Sequence, residues 1–467
     1  MSVLPAREAR FDWSVPVVVV GAGGCGLCAG LAARQAGAEV LILERDAVPI
    51  GTTGMSTGLI PGAGTRMQRE KGIADSPELF AEDVMAKARH QTDADVVLAL
   101  AHESARTVEW LADECGVALS LVDSFLYTGH SVKRMHGSPN RTGAELMGSL
   151  LDACTDAGAD LLTDARVSHL FADADGRVRG LRCVRPDGST EDLGCEALIL
   201  ACCGFAGNRE MVAEYIPELR HAEFFGHPGN QGEAIQWGRE LGAAIADICS
   251  YQGHGGLAKG YGVPILWPVI LEGGVQVNLE GRRFSDESLG YSEQAMEVLA
   301  QPEHVAVTVY DQRLHELMHE FNDYREAISA GAVRKASTPG ELAELFGLPA
   351  GALEETLEET AALTRGEVTD PFGRDFTGRP ELEAPWYGVR VTGALFHTQG
   401  GLRVDARARV LREDGSAFPN LFAGGGAARG VSGPSRWGYI AGNGLLTATT
   451  YGRLAGETAA GSVRHLP

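Results

Sequence analysis

Long apolar runs are absent from this chain of 467 residues. No stretch reaches the roughly 18 apolar residues that a membrane-spanning helix needs, and residues 1–14 lack the apolar centre of a signal peptide. The nine cysteines are odd in number and scattered, which does not fit the disulfide framework of a small secreted protein. We therefore expect a reduced, cytoplasmic protein with no membrane span.

Positive charge is also scarce, since 40 Lys and Arg residues stand against 62 Asp and Glu residues. The formal net charge of −22 argues against a nucleic-acid partner, because the phosphate backbone needs a basic surface. No cysteine cluster has the spacing of an iron–sulfur site, and we predict no metal site. The partners that we expect are a small-molecule substrate and an electron acceptor of unknown identity.

Glycine, in contrast, is abundant, with 61 residues or about 13% of the chain, against roughly 7% in average proteins. The glycines cluster at residues 21–30, 51–64, 253–262, 393–401 and 424–444. Glycine is favoured where the backbone must turn sharply or come close to a ligand. The clusters therefore predict several places where the main chain touches a bound molecule.

The first glycine cluster lies between a strand-like run, Val15–Val20, and a stretch of small residues at 27–36 that predicts a helix. In such a unit the glycines let the backbone approach a pyrophosphate, whose charge the helix N-terminus stabilises. An acid at the end of the next strand accepts hydrogen bonds from ribose hydroxyls and disfavours NADP. The dinucleotide-binding residues predicted here are Gly21, Gly23, Gly24, Gly26, the acid Glu44 and its neighbour Arg45.

Three later segments, at residues 51–58, 197–208 and 420–446, complete a pattern that extends over roughly residues 15–460. This pattern resembles the FAD-dependent fumarate reductase/succinate dehydrogenase flavoprotein superfamily, which includes the 3-ketosteroid dehydrogenases. The resemblance implies an α/β fold with a Rossmann-like FAD-binding domain. That domain would be formed by residues 1–250 and 376–467, with an α+β capping domain inserted at residues 251–375.

The resemblance also implies that the cofactor is FAD. Non-covalent binding is expected, because residues 51–58 lack the His that carries covalent flavin in respiratory complexes. One motif departs from the family, since Gly424–Gly426 stands where Ala-Gly-Glu is usual and the Glu contact to FAD is missing. The further cofactor residues implied are Thr52, Thr53, Ser56, Gly58, Val167, Gly204, Asn208, Gly425, Asn443, Gly444, Leu445 and Leu446.

The window from Val275 to Tyr291 resembles the family motif Asn-x-x-Gly-x-Arg-Phe-x-(Asn/Asp)-Glu. Seven residues after the Phe of this motif, fumarate reductases have the Arg that delivers a proton to the substrate. Tyr291 stands there in this chain, as a Tyr does in the ketosteroid dehydrogenases. A Tyr whose pKa is lowered can remove a proton from a carbon beside a ketone, and we expect this role for Tyr291. The alternative is a ring that only packs in the capping domain.

Other residues are expected to hold the substrate. The resemblance assigns a substrate carboxylate to His397 and Arg436, and the planar guanidinium of Arg suits a carboxylate well. His254 and Tyr127 are further substrate-binding candidates, and each has a purely structural role as its alternative. The backbone N–H groups near Gly442, together with the Tyr439 hydroxyl, are expected to polarise a ketone oxygen.

These features predict a dehydrogenase that introduces a C=C bond α,β to a ketone in a cyclic substrate. A small keto-acid such as 4-oxocyclohexanecarboxylate is the best candidate, because it satisfies both Tyr291 and Arg436. The enzymatic alternatives are a 3-ketosteroid dehydrogenase, whose substrate leaves Arg436 without a carboxylate, and a fumarate- or urocanate-type reductase. A flavin-binding sensor or electron-transfer subunit is the non-enzymatic alternative.

Overall fold

A mixed β-sheet of nine strands lies at the centre of the computed structural model, which describes residues 2–463. The strand that precedes the glycine turn pairs in parallel with Val40–Leu43 on one side and with Thr190–Leu200 on the other. Its residues Val17–Val19 are fully buried, as expected for an apolar run inside a parallel sheet. The strands of this first sheet are Val3–Pro5, Trp13–Val20, Val40–Leu43, Asp160–Leu162, Arg166–Ala172, Val178–Val184, Thr190–Leu200, Arg409–Leu411 and Ala417–Ala423.

Two helices made largely of small residues, Gly24–Gln35 and Asn443–Val463, pack closely together beside this sheet. A side chain on Gly452 would overlap the carbonyl oxygen of Cys25, and one on Gly456 would overlap that of Ala29. The glycines therefore set the distance between the two helices, whose N-termini face the same cavity.

A second sheet has six strands and is antiparallel except at the short strand Glu223–Phe224, which pairs in parallel with Trp386–Thr398. Most of it comes from residues 251–375, which we call the cap. The sequence predicted a return to the first domain at residue 376, and the structure puts the next strand, Trp386–Thr398, in the second sheet. This sheet contains Glu223–Phe224, Tyr251–Ala258, Val275–Val277, Val305–Asp311, Arg334–Ala336 and Trp386–Thr398.

The strands that lead into and out of the cap are neighbours. Tyr251–Ala258 and Trp386–Thr398 pair antiparallel, with Gln252 opposite His397 and His254 opposite Ala394. The chain therefore enters and leaves the cap through two adjacent hydrogen-bonded strands.

The remaining elements surround the two sheets. Two small sheets are formed by Ile60–Pro61, Ser120–Leu121 and Met135–Gly137, and by Ile245–Ala246 and Gly401–Leu402. Within residues 2–463, no helix combines the length and the apolar character needed to cross a bilayer. The other α-helices are Gly51–Gly54, Arg66–Glu70, Pro77–Lys87, Ala94–Asp113, Gly143–Asp156, Arg209–Tyr215, Glu233–Leu241, Pro268–Leu271, Tyr291–Leu299, Gln312–Met318, Asn322–Ser329, Pro339–Phe346 and Ala350–Thr364.

A buried network of four charged side chains stabilises the cap. The Glu287 carboxylate accepts hydrogen bonds from Arg283 (2.8 Å) and Arg374 (3.1 Å), and Arg283 also donates to Asp370 (2.6 Å). Burial opposes ionisation of Glu287, but Arg374 and Arg283 outweigh it and lower the pKa of this carboxyl. Two cations and two anions therefore balance one another inside the cap.

Ion pairs also join the cap to the rest of the chain. Lys87 pairs with Glu293 of the cap in a largely buried contact, and Arg141 pairs with Glu320 at 2.6 Å. In each pair the cation lies outside residues 251–375 and the acid lies inside them. Attraction between opposite charges thus holds the cap against the first domain.

Candidate active site

One large cavity lies between the first sheet and the cap. Its wall includes the glycine turn after the first long strand, the segment 51–57 and the start of the last helix. The cap side contributes the side chains Gln252, His254, Pro264, Leu266, Trp267, Pro268, Tyr291 and Asp323. The cavity therefore joins the predicted cofactor-binding residues to the predicted substrate-binding residues.

The glycine turn has the geometry that a bound diphosphate requires. Gly21 has φ +103°, and a side chain on Gly26 would overlap the Gly21 carbonyl oxygen. Gly23 faces open space on the cavity wall. The N–H groups of Gly23 and Cys25 donate to no acceptor among residues 2–463. Free N–H donors at a helix N-terminus form a site for an anion such as a pyrophosphate.

Glu44 and Arg45 lie on the wall near this turn. The Glu44 carboxylate accepts hydrogen bonds from the N–H of Ala22 (2.9 Å) and of Asp46 (3.1 Å), which fixes its orientation and leaves lone pairs for ribose hydroxyls. Arg45 donates to the carbonyl of Gly229 (3.1 Å). This side of the cavity has the donors and acceptors that a dinucleotide needs.

The segment 51–57, which begins with the short helix Gly51–Gly54, is held by hydrogen bonds to the glycine turn and to a neighbouring segment. The Thr53 hydroxyl accepts from the Gly24 N–H (3.1 Å), and the Thr52 hydroxyl accepts from the Asn230 side chain (2.9 Å). Ser56 donates to the Thr53 carbonyl (2.7 Å). The predicted cofactor residues on the cavity wall are Gly21, Gly23, Gly24, Glu44, Arg45, Thr52, Thr53, Ser56, Val167, Gly425, Gly444 and Leu445.

Six predicted cofactor residues do not line the cavity. Asn208 instead caps a helix by accepting from the N–H groups of Glu210 and Met211. The Asn443 amide is buried and donates to Ser432 (2.7 Å), and Leu446 packs in the core. Gly58 has φ +67° and serves the backbone turn. The six are Gly26, Gly58, Gly204, Asn208, Asn443 and Leu446.

Aromatic rings form the part of the wall next to the cap. The Tyr291 ring lies 5.1 Å from the His254 ring and 5.9 Å from the Tyr439 ring, centroid to centroid. His254 also stacks on Phe396 at 5.0 Å, and His397 lies 5.7 Å from Tyr439. Tyr127 is on the same wall. The structure thus brings together all five predicted aromatic and imidazole side chains.

Burial keeps these side chains uncharged near neutral pH. Burial raises the pKa of Tyr291, and the adjacent Tyr439 raises it further. Burial also raises the pKa of Tyr439, although the Gly444 N–H and Tyr291 act in the opposite direction. Desolvation lowers the pKa of His254 to about 3 and that of His397 to about 4. The predicted role of Tyr291 as a base assumed that its neighbours lower its pKa. In the structure they raise it.

Arg436, which is predicted to contact a substrate carboxylate, does not line the cavity in this structure. Its side chain is 44% exposed and points towards Glu297 of the cap, with 4.0 Å between nitrogen and oxygen. A side chain on Gly438 would overlap the Ser432 carbonyl, so the chain folds back on itself between these two residues. That tight loop carries Arg436 outwards.

Several wall residues were not predicted from the sequence. Trp267, Leu266 and Asp323 belong to no motif, and only the folded cap brings them to the cavity. Phe396 directly precedes the predicted residue His397, and this position was the only feature of the sequence that pointed to Phe396 as a wall residue. Cys203 has φ +64°, a backbone conformation that favours glycine.

The charges on the wall are unevenly distributed. The cations Arg45 and Arg166 lie with Glu44 and Val167, on the dinucleotide side. No Lys or Arg of the cap lines the cavity, and Asp323 is the cap's one charged wall residue. The Asp323 carboxylate makes no hydrogen bond within residues 2–463, and burial raises its pKa to about 6. The aromatic side of the cavity is therefore neutral to negative.

Comparisons with known proteins agree with this geometry. A family model described as an FAD binding domain matches residues 16–445. The chain is 30% identical over 449 residues to "Fumarate reductase (cytochrome)" from Shewanella frigidimarina, covering 96% of this chain and 77% of that protein.

Two solved structures have a similar fold. One is the open conformation of a flavocytochrome c3 fumarate reductase, with a TM-score of 0.82, 28% identity and coverage of 98% of this chain and 80% of that chain. The other is the 3-ketosteroid-Δ4-(5α)-dehydrogenase of Rhodococcus jostii RHA1, with a TM-score of 0.78, 26% identity and coverage of 98% and 100%.

These findings confirm the predicted α/β fold with an inserted cap and the predicted cofactor, FAD. The free N–H donors of the glycine turn and the acid Glu44 fit the diphosphate and ribose of this cofactor. The chain belongs to the FAD-dependent fumarate reductase/succinate dehydrogenase flavoprotein superfamily and is an FAD-dependent oxidoreductase that acts on CH–CH bonds.

Proposed function

We propose that this protein is a dehydrogenase that introduces a C=C bond α,β to a ketone in an uncharged cyclic substrate. The observation that carries the proposal is the pair Tyr291 and Tyr439 on an aromatic wall that contains no Lys or Arg from the cap. The structural relative from Rhodococcus jostii, solved with 4-androstene-3,17-dione, supports a ketone of this class.

In the proposed reaction the substrate loses a proton from the α-carbon and a hydride from the β-carbon. The Gly442 N–H and the Tyr439 hydroxyl donate to the ketone oxygen and stabilise the developing enolate. Tyr291 takes the α-proton. The chemistry that FAD supplies when bound is hydride acceptance, and the cap excludes water from the reacting atoms.

The keto-acid favoured by the sequence depended on Arg436, which lies outside the cavity. A carboxylate in the aromatic part of the cavity would find no cationic side chain of the cap there, and both histidines are neutral above about pH 4. Asp323 would repel it once the pH exceeds about 6. We therefore place an uncharged cyclic ketone, such as a 3-ketosteroid, before 4-oxocyclohexanecarboxylate.

Anaerobic mixing of the purified yellow protein with substituted cyclohexanones, a 3-ketosteroid and 4-oxocyclohexanecarboxylate tests this order at pH 8. We expect uncharged ketones to bleach the flavin at least about tenfold faster than the keto-acid, because an unscreened negative charge in a cavity repels an anion. The substitution Asp323→Asn should reduce the difference between the bleaching rates with uncharged ketones and with the keto-acid. Glu358→Gln, which changes an exposed acid elsewhere on the cap, is the matched control. Faster bleaching by the keto-acid would contradict the proposed order and would support a contact between Arg436 and the substrate carboxylate.

Dehydrogenation of the ketone substrate is expected to become faster as the pH rises. The base form of Tyr291 is the phenolate, and burial raises the pKa of this side chain. Below that pKa, the phenolate fraction grows tenfold with each pH unit. The rate of single-turnover flavin bleaching should therefore rise by up to about tenfold per unit between about pH 6 and 9. Hydrogenation of the unsaturated product uses the phenol and should gain nothing from alkaline pH. A forward rate that does not depend on pH contradicts the base role.

A reductase of an unsaturated acid is the second candidate function. The 30% identity to a fumarate reductase favours it, and so does the raised pKa of Tyr291, because a protonated phenol can donate a proton. Reduction with dithionite followed by anaerobic addition of fumarate or urocanate distinguishes the two functions. If these acids reoxidise the flavin and no saturated ketone bleaches it, the protein is a reductase.

A further inference from the structure

The peptide between Ala441 and Gly442 has a fixed orientation on the cavity wall. The Ala441 carbonyl oxygen lies 2.9 Å from Nε2 of His130, a buried side chain that is absent from the wall. In a trans peptide the carbonyl and the following N–H point in opposite directions. Both Ala441 and Gly442 line the cavity, so the Gly442 N–H is directed away from His130 and towards the cavity.

This N–H is available to a ligand. It donates to no acceptor within residues 2–463, and Gly442 has φ +78°. The helix Asn443–Val463 begins directly after it. A free backbone donor at the start of a long helix is well suited to a ketone oxygen that becomes negative during the reaction.

The tautomer of His130 follows from its second neighbour. Nδ1 of the ring lies 3.0 Å from the guanidinium of Arg134, and a guanidinium can only donate. Nδ1 must therefore accept, and the ring proton is on Nε2, where it is donated to the Ala441 carbonyl. Burial and the Arg134 charge lower the pKa of His130 to about 4, so the ring is neutral and this tautomer persists at neutral pH.

Arg134 itself cannot move freely. Its side chain is completely buried and makes two hydrogen bonds of 3.0 Å to Asp75, with a further one to Asp83. The His130 ring also stacks on Phe80, with 5.8 Å between centroids. Two anions thus hold Arg134, and Arg134 and Phe80 hold the imidazole.

We infer that His130 is a positioning residue that holds the Ala441–Gly442 peptide so that its N–H faces the ketone oxygen of the substrate. The inference rests on the proposed function, in which Gly442 polarises that oxygen. His130 acts through the peptide and touches neither the substrate nor the cofactor.

Two substitutions separate the two hydrogen bonds of His130. In His130→Asn the amide oxygen can replace Nδ1 as the acceptor for Arg134, but the side chain is too short to reach Ala441. In His130→Gln the longer amide can donate to Ala441. We expect His130→Asn to lower kcat by about 10- to 100-fold with little change in KM, as expected when a donor to the developing oxyanion is displaced. His130→Gln should recover most of the rate. His136→Asn, which removes another buried imidazole bonded to Thr65, is the control for general destabilisation.

A phenol that mimics the enolate gives a second readout that does not require turnover. We would titrate 4-chlorophenol bound to the FAD-loaded enzyme by its ultraviolet difference spectrum. Donors aimed at the oxygen should lower the pKa of the bound phenol in the unsubstituted enzyme and in His130→Gln. In His130→Asn this pKa should return towards the value in water by about one unit, equivalent to a tenfold change in anion stabilisation.

The possible results separate the inference from the proposed function. If the unsubstituted enzyme does not lower the pKa of bound 4-chlorophenol, the Gly442 donor is absent and both fail. If the unsubstituted enzyme and the His130→Asn variant lower the pKa of bound 4-chlorophenol equally, His130 is not a positioning residue, and the proposed function is unaffected. Loss in His130→Asn with recovery in His130→Gln supports both.

Discussion

Replacing Tyr291 with Phe is expected to slow substrate oxidation by about 10²- to 10⁴-fold, the usual contribution of a positioned acid–base group. A Phe ring preserves the packing against His254 and Tyr439, so only the hydroxyl is lost. The FAD content should remain normal, because Tyr291 belongs to the cap and not to the glycine turn or the other predicted cofactor segments. The measurement is stopped-flow bleaching of the flavin by an uncharged cyclic ketone.

Tyr310 offers a matched control for this experiment. It is another fully buried tyrosine of the cap, its hydroxyl is bonded to that of Tyr324 at 2.7 Å, and it is not on the cavity wall. Tyr310→Phe should retain a nearly normal rate. A Tyr291→Phe enzyme that bleaches as fast as Tyr310→Phe would exclude Tyr291 as the base.

Glu287→Gln is expected to lower the free energy of unfolding by about 3–5 kcal/mol, because it leaves buried charges without their partner. Glu287 is completely buried and binds both Arg283 and Arg374. After the change, Asp370 remains paired with the Arg283 guanidinium, whereas the Arg374 guanidinium is left with the carbonyls of Gly274 and Ile270. Urea unfolding followed by tryptophan fluorescence measures the loss.

The adjacent arginine provides the comparison. Arg282 pairs with Glu355, and both side chains are exposed, at 41% and 63%. Glu355→Gln removes a carboxylate of the same kind from the surface of the cap, where water and salt screen the charge, and should leave the unfolding midpoint almost unchanged. Equal losses in the two variants would show that the buried network does not stabilise the cap.

Much of the cofactor site could be predicted because its determinants are local. The turn Gly21–Gly26 requires glycine for its own backbone, and Glu44 follows directly from the end of a strand. Such constraints act within a few residues, so a sequence pattern records them. The motif that contains Arg283 and Glu287 was also identified, although its charges stabilise the cap and do not bind substrate.

The substrate side is harder to predict because its determinants are distant in sequence. Arg436 occupies the expected motif, but the tight loop between Ser432 and Gly438 decides where its side chain points. The pKa of Tyr291 depends on burial against Tyr439 and Tyr127, which come from separate parts of the chain. Asp323 and His130 carry no motif at all, and only the packed structure relates them to the cavity.

The two neighbouring strands through which the chain enters and leaves the cap have a mechanical consequence. Because Tyr251–Ala258 and Trp386–Thr398 are hydrogen-bonded side by side, they cannot slide past one another. His254, Phe396 and His397 are carried by these strands and so keep their mutual arrangement. Tyr291 begins the helix that packs on Tyr251–Ala258, where the Gly253 N–H donates to the Ser292 hydroxyl (2.9 Å), so one side of the substrate site is assembled before the substrate arrives.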